Sequence, residues 1–388
     1  MIIKKKIQLL IILNNNFTAL SMLSYYFQNL KKYKNINIFL VIDETYKNTF
    51  LKRYDIKIIL KILKIIDPKL NKYLSIKIPK TFFFNVKNSL FFLNNFFLLR
   101  KKNSKFTKEI LKKIKLDFDE IWTGNSELIN FFPITKKVLK FEHGLSELIQ
   151  YIKFKKNRKN FLINIKSKVE KMISENFFYK KNYFFEFKLI SIFKGITKEK
   201  LKNVIQIKKN GYLNTIRFFN SIHKIKSLKK KRNIIINYPL SDYSNNHLKR
   251  KFNYEFANFI KIQLKKNKIA NDYNIIVKKK PSHNKKNVLD LIKIMKNNGI
   301  KNKVIFFENI YKTDLIIDFF IEKINPKILI TNINSSVIVF NKAFPKRKVI
   351  LTDEFVINFI EKNYSYIYDF KNELSIFNQY KKNIRYFI

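Results

Sequence analysis

Residues 7–42 have the sequence IQLLIILNNNFTALSMLSYYFQNLKKYKNINIFLVI, in which two kinds of pattern alternate. Ile7 to Leu13 form a short continuous apolar run, as expected of a strand that is buried on both faces. After a polar turn at Asn14 to Asn16, apolar side chains recur at helical spacing, and a second apolar run follows at Ile36 to Ile42. This order predicts a β-α-β unit with two parallel strands and a right-handed crossover.

The same strand pattern returns further along the chain. Short apolar runs at Glu120 to Trp122 and Val138 to Phe141 each end in a turn that contains a glycine. A second series of strands is predicted at Asn233 to Asn237, Tyr273 to Val277, Val304 to Phe307, Lys327 to Ile330 and Lys348 to Leu351. Two successive series predict an α/β protein with two Rossmann-like domains facing a cleft. Ligands then bind beyond the carboxyl ends of the strands.

The domain boundaries follow from where these patterns begin and end. We expect an amino-terminal Rossmann-like domain over residues 1–150 and a carboxyl-terminal, nucleotide-binding one over residues 233–354. Residues 151–232 are rich in lysine and show no clean alternation, which predicts helices and an inter-domain passage. Residues 355–388 are aromatic and helical in pattern, so we expect carboxyl-terminal helices there.

Composition excludes several classes of protein. With 388 residues, of which 46% are hydrophobic and 16% aromatic, the chain can bury a large core, which excludes global disorder. The chain has no cysteine, which excludes disulfides, thiolate metal sites and a cysteine nucleophile. No small-residue cleavage site follows the first apolar run, and amides and lysine interrupt Phe82 to Leu99, so we expect neither a signal peptide nor a transmembrane helix.

The net charge is strongly positive. There are 80 Lys and Arg against 28 Asp and Glu, which gives +52 at pH 7. Such a charge is typical of proteins that bind nucleic acid or anionic membranes. However, runs of Lys, Asn, Ile and Phe are also what the coding sequence of an AT-rich bacterium produces, and the lysines are spread along the whole chain. No nucleic-acid-binding motif is present, so we expect no nucleic-acid partner.

Three polar clusters follow predicted strands. Glu142-His143-Gly144 offers a carboxylate that could take a proton from a hydroxyl, beside a residue that lets a ligand approach the backbone. Lys280-Pro281-Ser282-His283 offers a cation and an imidazole, which suit a phosphate. Ser335-Ser336, preceded by Asn332-Ile333-Asn334, offers hydroxyls at a predicted helix start, which both cap helices and bind phosphate.

The order of these clusters resembles the bacterial sialyltransferase and polysialyltransferase families, which have a GT-B fold. Those families carry a carboxylate-rich motif that ends in glycine, a Lys-Pro-His-Pro motif and a paired Ser/Thr motif. Three further stretches are similar to family segments: Asn14-Asn15-Asn16-Phe17 to the first loop, residues 121–125 to the strand before the carboxylate motif, and residues 234–241 to the opening of the second domain. Two departures stand out, because His143 replaces a carboxylate and Ser282 separates Pro281 from His283.

The resemblance implies an inverting, metal-independent transfer of a sialic-acid-like sugar from a CMP donor, without any other cofactor. Glu142 is the implied base and His283 the group that protonates or hydrogen-bonds the departing CMP phosphate. The implied phosphate-binding residues are Lys280, Ser335 and Ser336, with His143, Gly144, Asn14 and Asn15 in support. No Asp-x-Asp pair follows a predicted strand, which agrees with the absence of a divalent-ion site.

The implied acceptor is a glycan or glycolipid in surface polysaccharide biosynthesis, either of capsule or of lipopolysaccharide. With the basic surface, this predicts a cytoplasmic enzyme that is attached peripherally to the anionic inner membrane. Two alternatives stay open: transfer from another nucleotide sugar such as CMP-Kdo, and a non-catalytic basic protein that binds nucleic acid or a membrane.

Overall fold

The computed structural model describes residues 6–44, 53–70, 72–78, 105–106, 108–110, 112–114, 118–124, 126, 128–129, 137–142, 188–191, 204–223, 227–228, 232–239, 246–279, 284–313, 315–332 and 334–363. The chain divides into two compact units, Met1–Tyr212 and Leu213–Ile388. Each unit is built around one β-sheet in which every pair of neighbouring strands is parallel.

The first unit contains seven strands and two helices with assigned bounds before the segment that joins the units. In chain order they are β1 (Ile7–Leu13), α1 (Asn16–Gln28), β2 (Ile36–Asp43), α2 (Arg53–Ile66), β3 (Leu74–Ile76), β4 (Glu120–Thr123), β5 (Lys137–Phe141), β6 (Lys188–Ser191) and β7 (Val204–Gln206). The strand order in the sheet is β3-β2-β1-β4-β5-β6-β7. The helix α3 (Lys209–Ile222) then passes from the first unit into the second.

Both faces of the first sheet are covered, which explains why β1 is a continuous apolar run. On one face, Leu9 and Ile11 line a small apolar cavity together with side chains of α1 and α2. On the other face, Leu10 and Ile12 pack in a buried cluster with Ile110 and other apolar side chains. Since alternate residues of a strand point to opposite faces, a strand covered on both sides must be apolar throughout.

The second unit repeats this construction. Its elements are β8 (Asn233–Asn237), α4 (Asn246–Lys266), β9 (Asn274–Lys278), α5 (Lys285–Asn297), β10 (Lys303–Phe306), α6 (Phe307–Tyr311), a 3-10 turn (Ile317–Phe320), α7 (Ile321–Ile324), β11 (Ile328–Thr331), α8 (Ser335–Ala343), β12 (Lys348–Leu351) and α9 (Asp353–Asn363). The strand order is β10-β9-β8-β11-β12. A core of aliphatic and aromatic side chains, among them Ile234, Phe252 and Phe256, is fully buried beside this sheet.

The predicted α/β fold class, a GT-B pair of Rossmann-like domains, is confirmed by these two parallel sheets. All five predicted strands of the second unit lie within one residue of their observed positions. The structure differs in the segment 151–232, which contains β6 and β7, and these strands extend the first sheet. With four and three residues, β6 and β7 are too short to produce a recognisable alternation between lysine-rich flanks.

Candidate active site

The first sheet reverses its strand order between β1 and β4. Helices that follow two such strands leave the sheet in different directions, which opens a crevice at the carboxyl ends of the strands. Asn14 and Asn15 follow β1 at this point, and Gly124 follows β4. The structure therefore brings the predicted supporting residues Asn14 and Asn15 to the position where this fold binds ligands.

Asn15 has a structural role at the start of α1. Its side-chain oxygen accepts a hydrogen bond of 2.8 Å from the Thr18 N–H, and its amide nitrogen donates to Asn14 Oδ1 at 3.1 Å. This is helix N-capping, which satisfies an amide of the first turn that has no partner within the helix. Asn15 therefore fixes the backbone that presents Asn14 and the start of α1 to the crevice.

Gly124 allows the β1 and β4 loops to approach each other closely. A Cβ atom on this residue would lie 2.8 Å from Thr18 Oγ1 and 2.9 Å from Asn14 Oδ1. Next to this contact, the side-chain amide of Asn16 and the hydroxyl of Thr18 are buried without a hydrogen-bond partner among the described residues. Buried polar groups nearly always have partners, and a bound ligand or an ordered water would supply partners for this pair.

Glu142 directly follows β5 and is fully buried. The hydroxyl of Ser191, at the end of β6, donates a hydrogen bond to Oε2 of Glu142. The Glu142 N–H also donates to the Ile190 carbonyl at 3.3 Å, so both backbone and side chain are tied to β6. The carboxylate thus has a fixed position at the carboxyl edge of the first sheet. The neighbouring residues His143 and Gly144 lie outside the described residues.

A second carboxylate lies at the same edge. Asp43 is the last residue of β2, and the hydroxyl of Ser126 donates to its Oδ2 at 2.5 Å. Both side chains are buried. Ser191, Ser126 and Thr18 were not singled out from the sequence, because a serine or threonine carries no periodic signal. Ser191 closes β6, Ser126 lies shortly after the end of β4, and Thr18 lies in the first turn of α1. These positions are the feature that could have indicated them.

The second sheet has its reversal between β8 and β11. Asn237 closes β8 and donates to Thr331 Oγ1 at 3.2 Å, and Asn334 donates to the same oxygen at 2.8 Å. This joins the loop after β11 to the neighbouring strand. The predicted residues Ser335 and Ser336 form the first turn of α8 at this position, and both are half-buried.

Ser336 has partners for both of its donors. Its N–H donates to Asn334 Oδ1 at 2.9 Å, which caps α8, and its hydroxyl donates to Asp318 Oδ2 at 3.0 Å. Burial raises the pKa of Asp318 to about 6, although the hydrogen bond from Ser336 opposes the shift. Ser336 therefore orders the first turn of α8 through its neighbours, and Ser335 is the hydroxyl residue that begins the helix.

Two lysines are buried at the carboxyl end of β9. Lys278 and Lys279 are 3% and 2% exposed, and both lie near Glu308 Oε1, at 4.0 and 3.2 Å. In the sequence they belong to a basic run that could serve nucleic-acid binding, but buried side chains are unsuited to a nucleic-acid surface. The predicted residues Lys280 and His283 follow directly and lie outside the described residues.

The described ranges contain no group of three or more His, Cys, Asp or Glu residues that could hold a metal ion. No helix within them is both long and apolar enough to cross a membrane. The apolar segment Phe82 to Leu99 lies outside these ranges. Metal independence and peripheral attachment accordingly remain predictions.

Comparisons with known proteins give limited similarity. No family model matches the chain. Protein Ycf2 of Physcomitrium patens is 27% identical over 393 residues, and the alignment covers 89% of this chain but 16% of that protein. The chain therefore spans only a small part of the curated relative that it matches.

Among solved structures, similar ones include an α/β-galactoside α-2,3-sialyltransferase from Photobacterium phosphoreum, with 11% identity, coverage of 87% of this chain and 88% of that chain, and a TM-score of 0.49. A sialyltransferase from Photobacterium damsela has 9% identity, coverage of 86% and 72%, and a TM-score of 0.47. A putative UDP-N-acetylglucosamine 2-epimerase from Listeria monocytogenes has 11% identity, coverage of 98% and 92%, and a TM-score of 0.44. At these values, the similarity assigns neither an activity nor a substrate to this chain.

Proposed function

We propose that this protein is an inverting, metal-independent glycosyltransferase that moves a sialic-acid-like sugar from a CMP donor to a glycan or glycolipid acceptor. The observation that carries the proposal is the placement of Glu142. It is a fully buried carboxylate, held by Ser191, at the carboxyl edge of a Rossmann-like sheet. This edge is where the fold binds ligands.

In the proposed reaction, Glu142 takes the proton of the acceptor hydroxyl as that oxygen attacks the donor sugar. A general base must hold one orientation within hydrogen-bond reach of the proton that it removes. The hydrogen bond from Ser191 and the backbone bond to Ile190 supply that orientation. Ser191 is a positioning residue in this scheme, because it acts through Glu142.

The leaving CMP phosphate belongs, in this proposal, to the second unit. The first turn of α8 carries backbone N–H groups and the Ser335 hydroxyl, and a helix start favours negative charge. Lys280 and His283 complete the proposed phosphate site on the strength of the sequence motif. Because a nucleoside monophosphate leaves with less charge than a diphosphate, this site can act without a metal.

A thermal-shift screen against CMP, UMP, UDP and GDP tests the proposal. We expect CMP to raise the melting temperature most, and His283→Ala to weaken that shift. A UDP preference would contradict the CMP donor. If no nucleotide binds and the protein instead binds DNA in a salt-sensitive manner, the alternative of a non-catalytic basic protein is correct.

Transfer from CMP-Kdo, the second enzymatic alternative, is distinguished by the donor sugar. Incubation of the protein with CMP-sialic acid or CMP-Kdo, followed by measurement of the CMP released, compares the two directly. A polysialyltransferase would also lengthen its own product, which gel separation of a labelled acceptor detects. A role in capsule or lipopolysaccharide synthesis follows if the accepted glycan belongs to either polymer.

A further inference from the structure

The amino edge of the first sheet has a distinctive surface. We define this edge by the connection from α1 to β2 (residues 29–35), the last turn of α2, and the connection from α2 to β3 (residues 67–73). Because all strands are parallel, the helices that return between them end at the edge where the next strand begins. These segments therefore lie at one end of the sheet, opposite to Glu142.

The carboxylates at this edge point inward. Asp67 is 1% exposed, and its Oδ2 accepts a hydrogen bond of 2.6 Å from the Ile38 N–H. Asp119 Oδ2 accepts one of 2.8 Å from the Gln8 N–H. Asp67 is the only acidic residue in the two connections. Consequently, neither of the two connections presents a carboxylate at the surface of the amino edge.

The cations at this edge point outward. Besides Lys32, which is exposed but pairs with Glu120, five lysines of these segments are exposed: Lys31, Lys34, Lys64, Lys69 and Lys72. With the only carboxylate of the connections buried, the exposed charge of these segments has one sign. A cluster of exposed lysines of this size is attracted to anionic lipid headgroups, and each lysine near the surface strengthens the attraction.

Apolar side chains lie among these lysines. Leu30 and Ile65 are 44% and 52% exposed, and they are the exposed large hydrophobic residues among the described part of the first unit. Tyr26 and Phe27, in the last turn of α1, are half-buried beside them. Single exposed apolar residues are ordinary, but here both occur within the same lysine-rich edge. Surfaces in which lysines surround apolar and aromatic side chains are typical of proteins that bind at the interface of a bilayer.

We propose that the amino edge of the first sheet is a docking surface for an anionic lipid bilayer. Leu30 and Ile65 enter the interface, and the five exposed lysines contact the headgroups. The proposal does not depend on the transfer reaction. It also leaves the carboxyl edge, with Glu142, away from the lipid-contacting surface, since the two edges lie at opposite ends of the same strands.

Vesicle sedimentation with the full chain tests this docking surface. The probes are vesicles of phosphatidylcholine alone and of phosphatidylcholine mixed with phosphatidylglycerol. We expect binding to the mixed vesicles only, weakened by salt. Changing Lys31, Lys34, Lys64 and Lys69 together to Gln should lower the affinity about a hundredfold or more, at about fivefold per lysine. Leu30→Ser with Ile65→Ser should lower it about tenfold.

Matched variants in the second unit serve as controls. Lys265, Lys266, Lys293 and Lys296 are exposed, so changing them to Gln removes the same charge elsewhere. Ile262→Ser with Leu289→Ser removes exposed apolar surface in the same way. Control variants that bind like the unaltered protein support the proposal. Equal losses in both sets, unchanged binding by the amino-edge variants, or no vesicle binding at all would overturn it.

Measuring the binding of polyuridylate by the same variants distinguishes a nucleic-acid-binding role of this edge from membrane binding. If the amino-edge lysine variant loses affinity for this RNA but binds vesicles normally, the edge is a nucleic-acid surface and the membrane proposal is wrong. Circular dichroism melts of every variant establish that exposed substitutions leave the fold intact.

Discussion

The two edges of the first sheet differ in how completely their buried polar groups are paired. At the amino edge, Glu120 begins β4 and accepts hydrogen bonds from Lys137 at 3.0 Å, Tyr33 at 2.9 Å and Trp122 at 3.2 Å, and it also pairs with Lys32. At the carboxyl edge, Glu142 is held by the hydroxyl of Ser191, and Asn16 and Thr18, at the start of α1, have buried polar atoms without partners among the described residues.

The electrostatics of the amino edge follow from these contacts. Burial raises the pKa of Glu120, but hydrogen bonds from its four partners lower it more, so the pKa lies below the ordinary value. Burial also raises the pKa of Tyr33 far above its usual range. A fully satisfied network of this kind stabilises a fold, whereas incompletely satisfied buried groups are expected where a ligand will complete them.

The largest expected effect belongs to the carboxyl edge. Glu142→Gln keeps the shape of the side chain but removes the base, so we expect turnover to fall by a factor of about 10² to 10⁴ with CMP affinity nearly unchanged. Glu354→Gln, an exposed carboxylate in the first turn of α9, is the matched control. Steady-state release of CMP measures both. Turnover that survives in Glu142→Gln would remove this residue from the reaction.

Asp318, in the second unit, differs from Glu120 because burial raises its pKa more than hydrogen bonding lowers it. Its raised pKa means that the folded state holds the proton more tightly than the unfolded chain. The contribution of this proton to the stability of the fold is complete below about pH 4 and is lost as the pH rises through about 6. Asp318→Asn should therefore increase the free energy of unfolding at pH 7.5 by up to about 3 kcal/mol. The gain should vanish near pH 4. Urea unfolding at both pH values measures it, and an equal effect at both would contradict the assigned pKa.

Gly124→Ala tests the close approach of the two loops at the carboxyl edge. The new Cβ would lie 2.8 Å from Thr18 Oγ1, and we expect a loss of about 1–3 kcal/mol in the free energy of unfolding. The double variant with Thr18→Ala should recover part of the loss, because it removes the close Thr18 atoms but leaves Asn14 Oδ1 at 2.9 Å. Urea unfolding gives both values. Failure of the second substitution to restore stability would place the strain elsewhere.

The smallest expected effect lies at the amino edge. Glu120→Gln removes the charge opposite Lys32 and Lys137, whose side chains are about half exposed and can turn to solvent. It also leaves one acceptor oxygen where the carboxylate has two. We expect a loss of about 1–2 kcal/mol in stability and no change in turnover or CMP binding. Because the pKa of Glu120 is lowered in the folded state, its contribution is present at neutral pH and is lost in acid. A turnover defect would show that the two edges are not separate in function.

Part of the candidate site was predictable from the sequence alone. Asn14, Asn15 and Glu142 come directly after apolar runs, and Ser335 and Ser336 come after the short turn that ends another. Strands that end in polar turns place such residues at one edge of a sheet. The partners of these residues were not predictable. Ser191 is 49 residues from Glu142, and no local pattern records a contact over that distance.

The sequence by itself determined the class of fold, because continuous apolar runs separated by helical spacing permit only parallel strands covered on both faces. Tertiary structure alone decided which charged side chains are buried and paired. Lys278 and Lys279 look like part of a basic surface run, yet they are buried beside Glu308. The physical reason is that burial and pairing depend on residues far apart in the chain, whereas periodicity depends only on neighbours.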